Sequence, residues 1–162
     1  MGATYLGSIP NAHIRDYQRQ KVYDAEEQCM FWHTNPEISQ TEVIHLIQSI
    51  STWADIKQPT LYTGNKRTIP RHIRKRLAKY IAYATPNYIA IPSSVVKRTP
   101  FVCHEMAHVI NYQKGPADHH GPNFTNTYLQ LVGKFIGINE EQELRQSFDK
   151  KKVNYFRVKT SE

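Results

Sequence analysis

The chain has 162 residues, of which 40% are hydrophobic, and it carries a formal net charge of +7. This length and composition predict a single domain over residues 1–162, flexible at 1–12 and 159–162, and they exclude an intrinsically disordered chain. No apolar run approaches the roughly 18 residues that a membrane span needs, and the N-terminus lacks the pattern of a secretory signal peptide. We therefore predict a cytoplasmic protein with no membrane partner.

The first predicted elements are two helices. Residues 13–33 are predicted as one polar helix, because their apolar positions recur every three or four residues. The pair Asn35-Pro36 ends that helix. The segment from Ser39 to Glu42 then matches a capping box, in which the serine hydroxyl and the glutamate carboxylate accept hydrogen bonds from free backbone amides. The helix that follows has its apolar residues on one face, which predicts packing on a core.

A small sheet is predicted in the middle of the chain. Residues 59–63 predict one short strand, and residues 88–91 predict another. Residues 70–84 are ambiguous, since their spacing fits a turn or short helix that passes into a strand. Residues 85–87 predict a turn between the strand at the end of segment 70–84 and the strand 88–91, so these two strands are expected to form a hairpin.

The most clearly delimited element is a helix over residues 99–114. Thr99 is expected as its N-cap and Pro100 as its first helical residue. Gly115-Pro116 ends the helix, because glycine suits a left-handed cap and proline cannot continue the helix.

The remaining chain predicts more helix. A helix with an apolar stripe begins at Pro122 and ends at Gly137. Residues 139–150 predict a further charged helix, and residues 153–158 predict a final strand. An α+β layout is therefore predicted, because helices are followed by a small sheet, a long helix and more helices.

The segment HEMAH, from His104 to His108, lies inside the predicted helix 99–114. Positions i and i+4 lie about 40° apart around a helix, so both imidazoles project from one face and can bind one zinc ion. Glu105 can then face an open coordination position and act as the general base that takes a proton from zinc-bound water. The pattern therefore predicts a hydrolytic zinc site.

A catalytic zinc site has three protein ligands and one open position. The third ligand is expected just beyond the end of the helix, where Asp118, His119 and His120 follow one another. Spacing alone does not choose among these three residues. The two that are not ligands are candidates for partners that orient a ligand ring.

The motif HEMAH, followed after a short loop by HGPNF, resembles the SprT/Spartan-like zinc metallopeptidases, whose pattern is HExxH, a variable loop and HGxxF. The resemblance implies that His120 joins His104 and His108 as the third ligand of one Zn²⁺ ion, with Glu105 as the catalytic base. It implies a zincin-like fold, in which a small twisted sheet packs against the active-site helix and flanking helices. It also implies that Ile89 to Ser93 form an edge strand, on which a peptide or protein substrate can pair.

The N-terminal part carries a second resemblance. RDYQR at residues 15–19, followed by VYDAE at residues 22–26, is similar to the opening of small metallohydrolases from actinobacteria and their phages, which are also single-domain HExxH proteins. The 162 residues contain neither the cysteine-based zinc ribbon of many SprT-like proteins nor the further DNA-binding regions of Spartan. DNA dependence therefore does not follow from the motif.

The stretch 56–104 holds no Asp or Glu but ten Lys and Arg residues. They are Lys57, Lys66, Arg67, Arg71, Arg74, Lys75, Arg76, Lys79, Lys97 and Arg98. Such a stretch can attract nucleic acid, or it is only a solvated basic face. Two alternatives to a simple metallopeptidase follow: a protease that acts on DNA-bound proteins, and a non-catalytic nucleic-acid-binding protein that keeps a structural zinc.

Two further groups of residues have open roles. Tyr88, Tyr112 and Tyr128 are candidates either for stabilising an oxyanion or for the aromatic core. Arg15, Arg19 and Glu26 predict either an ion-paired cap near the site or an exposed helix face.

Overall fold

The structure, a computed structural model, describes residues 16–64, 69–77 and 82–156. In these ranges the chain forms seven helices and one three-stranded sheet, which confirms the predicted α+β class. The helices are α1 Arg19–Gln28, α2 Met30–Thr34, α3 Gln40–Ala54, α4 Arg71–Leu77, α5 Thr99–Lys114, α6 Pro122–Phe135 and α7 Ile138–Lys150, and the strands are β1 Thr60–Thr63, β2 Tyr83–Ala84 and β3 Tyr88–Ile91. The predicted flexible ends, 1–12 and 159–162, lie outside the described residues.

Among the described helices, none has both the length and the apolar character that a membrane crossing requires.

The prediction of one helix over residues 13–33 is wrong, because the helical part of this segment breaks at Cys29. Cys29 has an extended backbone, with ψ of 128°, and separates α1 from α2. Cys29 and Phe31 are both buried. In a continuous helix these two residues would point about 200° apart. The break therefore lets both side chains enter the same core.

The sheet has the order β1-β3-β2, so β3 is its central strand. β1 pairs with β3 in parallel, and β2 pairs with β3 antiparallel. The expectation that residues 89–93 form an edge strand is therefore wrong. Ile89, Ala90 and Ile91 are all buried, which is typical of an interior strand covered on both faces. The two edges of the sheet are formed by β1 and β2.

The predicted hairpin is confirmed in β2 and β3. Thr85 holds the turn, because its backbone N–H donates to the Tyr88 carbonyl over 2.8 Å and its hydroxyl accepts from the N–H groups of Asn87 and Tyr88. The ambiguous segment 70–84 contains α4 and then β2, as one of its two interpretations predicted. Residues 78–81 between them lie outside the described ranges.

Helix α5 lies at the centre of the molecule. It packs against α3, α6, β2 and β3. It begins one residue earlier than predicted, with Arg98 as the N-cap and Thr99 as the first helical residue, and Gly115 ends it as predicted. Because α5 is buried over most of its length, the side chains that it carries are held by packing on several sides.

The predicted final strand is wrong in its described part. Residues 153–156 form no strand, and residues 157 and 158 lie outside the described ranges. The backbone of Asn154 bonds to side chains instead. Its N–H donates to Gln18, and its carbonyl accepts from Gln18 over 3.2 Å and from the Thr125 hydroxyl over 2.8 Å. These contacts anchor the segment against α6 and against the residues that precede α1.

Candidate metal centre

Three histidines converge at one end of a cleft. His104 and His108 project from α5, and His120 precedes α6 by two residues. One ring nitrogen of each lies within 4.8 Å of those of the other two. His104 and His120 are buried, whereas His108 is partly exposed. Three imidazoles are thus close enough together to bind a single metal ion.

The spacing and chemistry of these donors fit such an ion. The Nε2 atoms of His104 and His120 are 3.4 Å apart. In a tetrahedral zinc site with bonds of about 2.0–2.1 Å, neighbouring ligand nitrogens are separated by about 3.3–3.4 Å. Imidazole nitrogen is also a donor that zinc, copper, iron and nickel all accept.

The first ligand ring is oriented by a buried carboxylate. Glu26 of α1 is 3% exposed and forms a hydrogen bond with Nδ1 of His104. An ionised carboxylate only accepts, so Nδ1 carries the proton and Nε2 keeps its lone pair for a metal. Burial favours the neutral ring, but the charge and the hydrogen bond of Glu26, together with the charges of Glu105 and Asp16, outweigh burial, so the pKa of His104 lies above its usual value.

The third ligand ring has the same kind of support. Nδ1 of His120 lies 2.6 Å from a carboxylate oxygen of Asp16, and the other Asp16 oxygen accepts from the His120 backbone N–H over 3.4 Å. Burial lowers the pKa of His120 although Asp16 acts in the opposite direction. Asp16 thus fixes both the ring and the backbone of this ligand.

His108 is held differently, by aromatic packing. Its ring stacks on Phe124 with centroids 4.2 Å apart and lies 6.1 Å from the ring of Tyr112. None of the described residues forms a hydrogen bond with the His108 ring. Burial and the neighbouring histidines keep the pKa of His108 well below its usual value, which favours the neutral, metal-binding form.

The other two candidates for the third ligand have different positions. Asp118 accepts hydrogen bonds from the backbone N–H groups of Asn123 and Phe124, over 2.8 and 3.1 Å, and so caps the start of α6. His119 has a left-handed backbone, with φ of 57°, and its Nε2 is buried without a hydrogen-bond partner. Neither residue orients a ligand ring as the sequence analysis had allowed.

The cleft beside the histidines has a volume of about 680 Å³. Its lining includes Asp16, Arg19 and Tyr23 from the N-terminal part of the chain, which we call the helical wall. It also includes Arg76 of α4 and residues 82–88 of the hairpin, which we call the sheet wall. The three histidines and Glu105 also line the cleft, so a substrate in it would contact the candidate metal site.

Glu105 is placed to act as a base. It is 7% exposed and faces the cleft beside His104 and His108. Among the described residues, none donates a hydrogen bond to its carboxylate. Burial raises the pKa of Glu105, and Glu26 adds to this while His104 opposes it. A carboxylate with a raised pKa and no partner is suited to accepting and returning a proton.

The tyrosine candidates divide into two kinds. Tyr88 and Tyr112 line the cleft. Tyr128 is fully buried beneath it, with its ring 5.4 Å from that of His104, so it belongs to the core and does not reach a substrate. Sequence reasoning did not consider Tyr23, whose ring lies 5.2 Å from His120 at the edge of the cleft.

Two carboxylates that support the ligands, Asp16 and Glu26, were not assigned from the sequence. Glu26 does not form the predicted ion-paired cap, because its hydrogen-bond partner is His104. Arg19 is exposed and lines the cleft, and Arg15 lies outside the described residues. Glu26 follows the buried Ala25 and lies one helical turn after the buried Val22. A carboxylate on such an apolar face is rare without a partner and could have indicated its role.

Comparisons of the chain with protein-family models, with curated proteins and with solved structures find no match.

Proposed function

We propose that the protein is a zinc-dependent metallopeptidase with a zincin-like fold, in which His104, His108 and His120 hold the metal and Glu105 is the general base. The observation that carries the proposal is the convergence of three imidazoles beside an unpartnered carboxylate in a cleft. The Nδ1 atoms of His104 and His120 are hydrogen-bonded to carboxylates, as is common for histidines that bind a metal through the other ring nitrogen.

The number of ligands favours a catalytic over a structural metal. Structural zinc sites are closed by four protein ligands, whereas catalytic sites use three and leave one position open. In the described part of the chain, the donor cluster consists of the three histidines alone. The remaining position would face the cleft, where a water molecule and a substrate can enter.

Hydrolysis of an amide would proceed as follows. A zinc ion, when bound, supplies the Lewis acidity that activates water near neutral pH and polarises a carbonyl group. The Glu105 carboxylate accepts a proton from the water whose oxygen attacks the carbonyl carbon. It then delivers this proton to the leaving nitrogen as the C–N bond breaks. The products are a carboxylate and an amine.

The sheet wall favours an extended peptide or protein as the substrate. β2 pairs with β3 on one side, and no other described strand pairs with β2. β2 also lines the cleft. Unpaired backbone groups at a sheet edge can bind an extended chain by strand addition. The substrate-binding role that the resemblance suggested for residues 89–93 is therefore proposed for β2.

The proposal is tested by elemental analysis of the purified protein beside a His120→Ala variant. We expect about one zinc per chain, largely lost without His120, because a catalytic site has three protein ligands. Zinc retained in full by the variant would show that the third ligand is misassigned.

Hydrolysis is tested with a peptide library and the Glu105→Gln variant. This variant should keep its zinc and lose about 10²–10⁴-fold in rate, the usual contribution of a general base. Glu27→Gln, at an exposed site on α1, is the matched control and should retain full activity. A zinc-loaded protein that cleaves no peptide, and whose other functions survive Glu105→Gln, would instead have a structural metal.

A second candidate function is a protease that acts on DNA-bound proteins. It is favoured by α4, whose side chains Arg71 and Lys75 are exposed on the same helix that reaches the cleft through Arg76. Lys66, Arg67 and Lys79 of the basic stretch lie outside the described residues. Binding to a DNA duplex that is undetectable at physiological salt would remove this candidate.

A further inference from the structure

The proposed hydrolysis calls for a hydrogen-bond donor in addition to the base. When water attacks an amide, negative charge develops on the carbonyl oxygen, and a donor aimed at this oxygen lowers the barrier. Glu105 cannot serve, because a carboxylate only accepts. A tyrosine hydroxyl keeps its proton at neutral pH and can donate. Among the described tyrosines, those that line the cleft are Tyr23, Tyr83, Tyr88 and Tyr112.

Tyr112 lies on the helix that carries two of the proposed ligands, beside the second of them. It follows His108 by four residues, so the two side chains project about 40° apart around α5. Their rings are stacked, with centroids 6.1 Å apart. Long side chains of a helix lean toward its N-terminus, which brings the Tyr112 ring back toward the turn of His108. Tyr112 therefore lines the cleft next to the three histidines.

Tyr112 also lies where α5 meets the proposed substrate strand. α5 packs against β2. The next residue, Gln113, donates hydrogen bonds to the carbonyl of Pro86 in the hairpin turn over 2.9 Å and to the carbonyl of Lys57 over 2.8 Å. These bonds hold this turn of α5 against the hairpin. A peptide that adds to β2 would therefore have both Tyr112 and the histidines beside it.

The Tyr112 hydroxyl is available to a substrate, because none of the described residues forms a hydrogen bond with it. The two tyrosines of the hairpin are placed differently. The side chains of Tyr83 and Tyr88 pack with Ile73 and Ala90 in a small cluster between the sheet and α4, on the face of the sheet opposite to α5. The hydroxyl oxygen of Tyr83 is buried. Their positions favour a packing role.

Tyr23 is held by the ligand rings and by Arg19. Its ring centroid lies 5.9 Å from that of His104 and 5.2 Å from that of His120. Arg19, one helical turn earlier, interacts with the Tyr23 hydroxyl, and its guanidinium carbon lies 5.7 Å from the ring centre. Tyr23 belongs to the helical wall, whereas the proposed substrate strand belongs to the sheet wall. These contacts favour a role in supporting the ligands.

We propose that the Tyr112 hydroxyl donates a hydrogen bond to the oxyanion that forms from the scissile carbonyl group, so that Tyr112 is a second catalytic residue beside Glu105. The inference rests on the proposed peptidase function and adds a residue to its mechanism. Glu105 and Tyr112 are seven residues apart, so they project about 20° apart around α5 and are separated by about 10 Å along it. Base and donor thus lie on one flank of the helix, with the turn of His108 between them.

The test compares the binding of two ligands to the zinc-loaded Glu105→Gln protein. One ligand is a peptide that the unmodified protein cleaves, and the other is the same peptide with a phosphinate in place of the scissile amide. The phosphinate oxygens carry the negative charge that the transition state develops. Adding Tyr112→Phe should weaken phosphinate binding about 10–100-fold, because a hydrogen bond to a charged acceptor is lost. Binding of the amide peptide should change less than about threefold, since its carbonyl oxygen is uncharged.

The same substitution in the otherwise unmodified protein should lower kcat about 10²–10³-fold with little change in KM, the usual effect of removing one oxyanion donor. Phenylalanine keeps the ring that stacks on His108, so zinc content and thermal stability should stay the same. Tyr23→Phe and Tyr88→Phe remove the same atom from other cleft tyrosines. They should leave the ratio of the two dissociation constants unchanged.

Several results would overturn the assignment of Tyr112. Phosphinate binding that Tyr112→Phe leaves unchanged would exclude the hydrogen bond. Equal weakening of both ligands, or loss of zinc, would show that Tyr112 only positions its neighbours. A larger loss of phosphinate binding with Tyr23→Phe would assign the oxyanion to the helical wall.

Failure of this inference is distinguishable from failure of the proposed function. A protein that binds zinc, cleaves peptides and keeps its kcat after Tyr112→Phe retains the peptidase and overturns the inference. An unmodified protein that binds no zinc and cleaves no peptide overturns both. Loss of kcat and of phosphinate binding in Tyr112→Phe, with zinc retained, supports both.

Discussion

On the helical wall of the cleft, Asp16 is hydrogen-bonded to His120. In the same N-terminal part of the chain, Glu26 is hydrogen-bonded to His104, and Gln18 is buried against the loop that carries His120. On the sheet wall, a strand of two residues and the exposed Arg76 face the same space. The first wall is built from satisfied polar contacts in a packed interior. The second is built from a short hairpin and aromatic side chains.

The difference separates two tasks. A metal ion requires ligands held within a fraction of an ångström, which buried hydrogen bonds and packing provide. Selection of a substrate requires only that suitable groups line the cleft, and these can change without disturbing the ligands. We therefore expect substitutions on the helical wall to alter metal affinity and substitutions on the sheet wall to alter substrate binding.

The largest effect should come from removal of the metal itself. A chelator should abolish hydrolysis and lower the free energy of unfolding by about 3–4 kcal/mol if free zinc had been present at 100–1,000 times its dissociation constant. Thermal denaturation with and without chelator measures the change. His120→Ala should show no such difference, and an unmodified chain that is equally stable in both conditions would contradict the proposed site.

Glu26→Gln should have the next largest effect. The amide cannot replace the charge that supports the His104 ring, so zinc affinity should fall about 10–100-fold. Competition with a chromogenic chelator measures this affinity. Glu27→Gln, one residue further on and exposed, should leave it unchanged. Equal losses in the two variants would mean that the buried contact is unimportant.

Asp16→Asn should act in the same way but more weakly, at about tenfold in zinc affinity, because Asp16 is only partly buried and water can replace some of its contact. Asp24→Asn, whose carboxylate accepts from Gln20 at the surface, is the control. If Asp16→Asn proved more damaging than Glu26→Gln, burial would not govern the strength of this support.

Thr85→Val should have the smallest effect and should change a different property. It removes the side-chain hydrogen bonds that hold the hairpin turn, which should lower the free energy of unfolding by about 1 kcal/mol. The KM for peptides should rise, while zinc affinity stays the same. Thr60→Val on β1 is the control, and a fall in zinc affinity with Thr85→Val would erase the distinction between the walls.

The sequence predicts the part of the site that is local. His104, Glu105 and His108 share one helix, and the helix has clear end signals, so their relative placement follows from helical geometry alone. The third ligand is less local. Spacing leaves three adjacent candidates open, and the structure brings His120 to the other two histidines because its ring and backbone bond to Asp16.

The supporting carboxylates could not be predicted from spacing. Glu26 lies 78 residues before His104 in the chain, and Asp16 lies 104 residues before His120. Such contacts depend on how α1 packs against α5 and the loop before α6. The position of Glu26 on an apolar helix face is a local signal that a buried partner exists, but it does not identify the partner.

The order of the strands in the sheet also depends on contacts between residues that are far apart in the chain. The run of buried residues in β3 is local and favours a central strand. β1 pairs with β3 in parallel. This pairing depends on a connection of more than twenty residues, and neither strand carries a sequence pattern that predicts it. For this reason the expectation of an edge strand at residues 89–93 is wrong.

The amide of Gln18 bonds both to the carbonyl of His120 and to the backbone of Asn154. A ribosome makes residue 154 long after residue 18, so the brace behind the third ligand is missing from a nascent chain until nearly all of the described protein has been synthesised. The full set of hydrogen bonds behind His120 is consequently among the last contacts of the described protein to form.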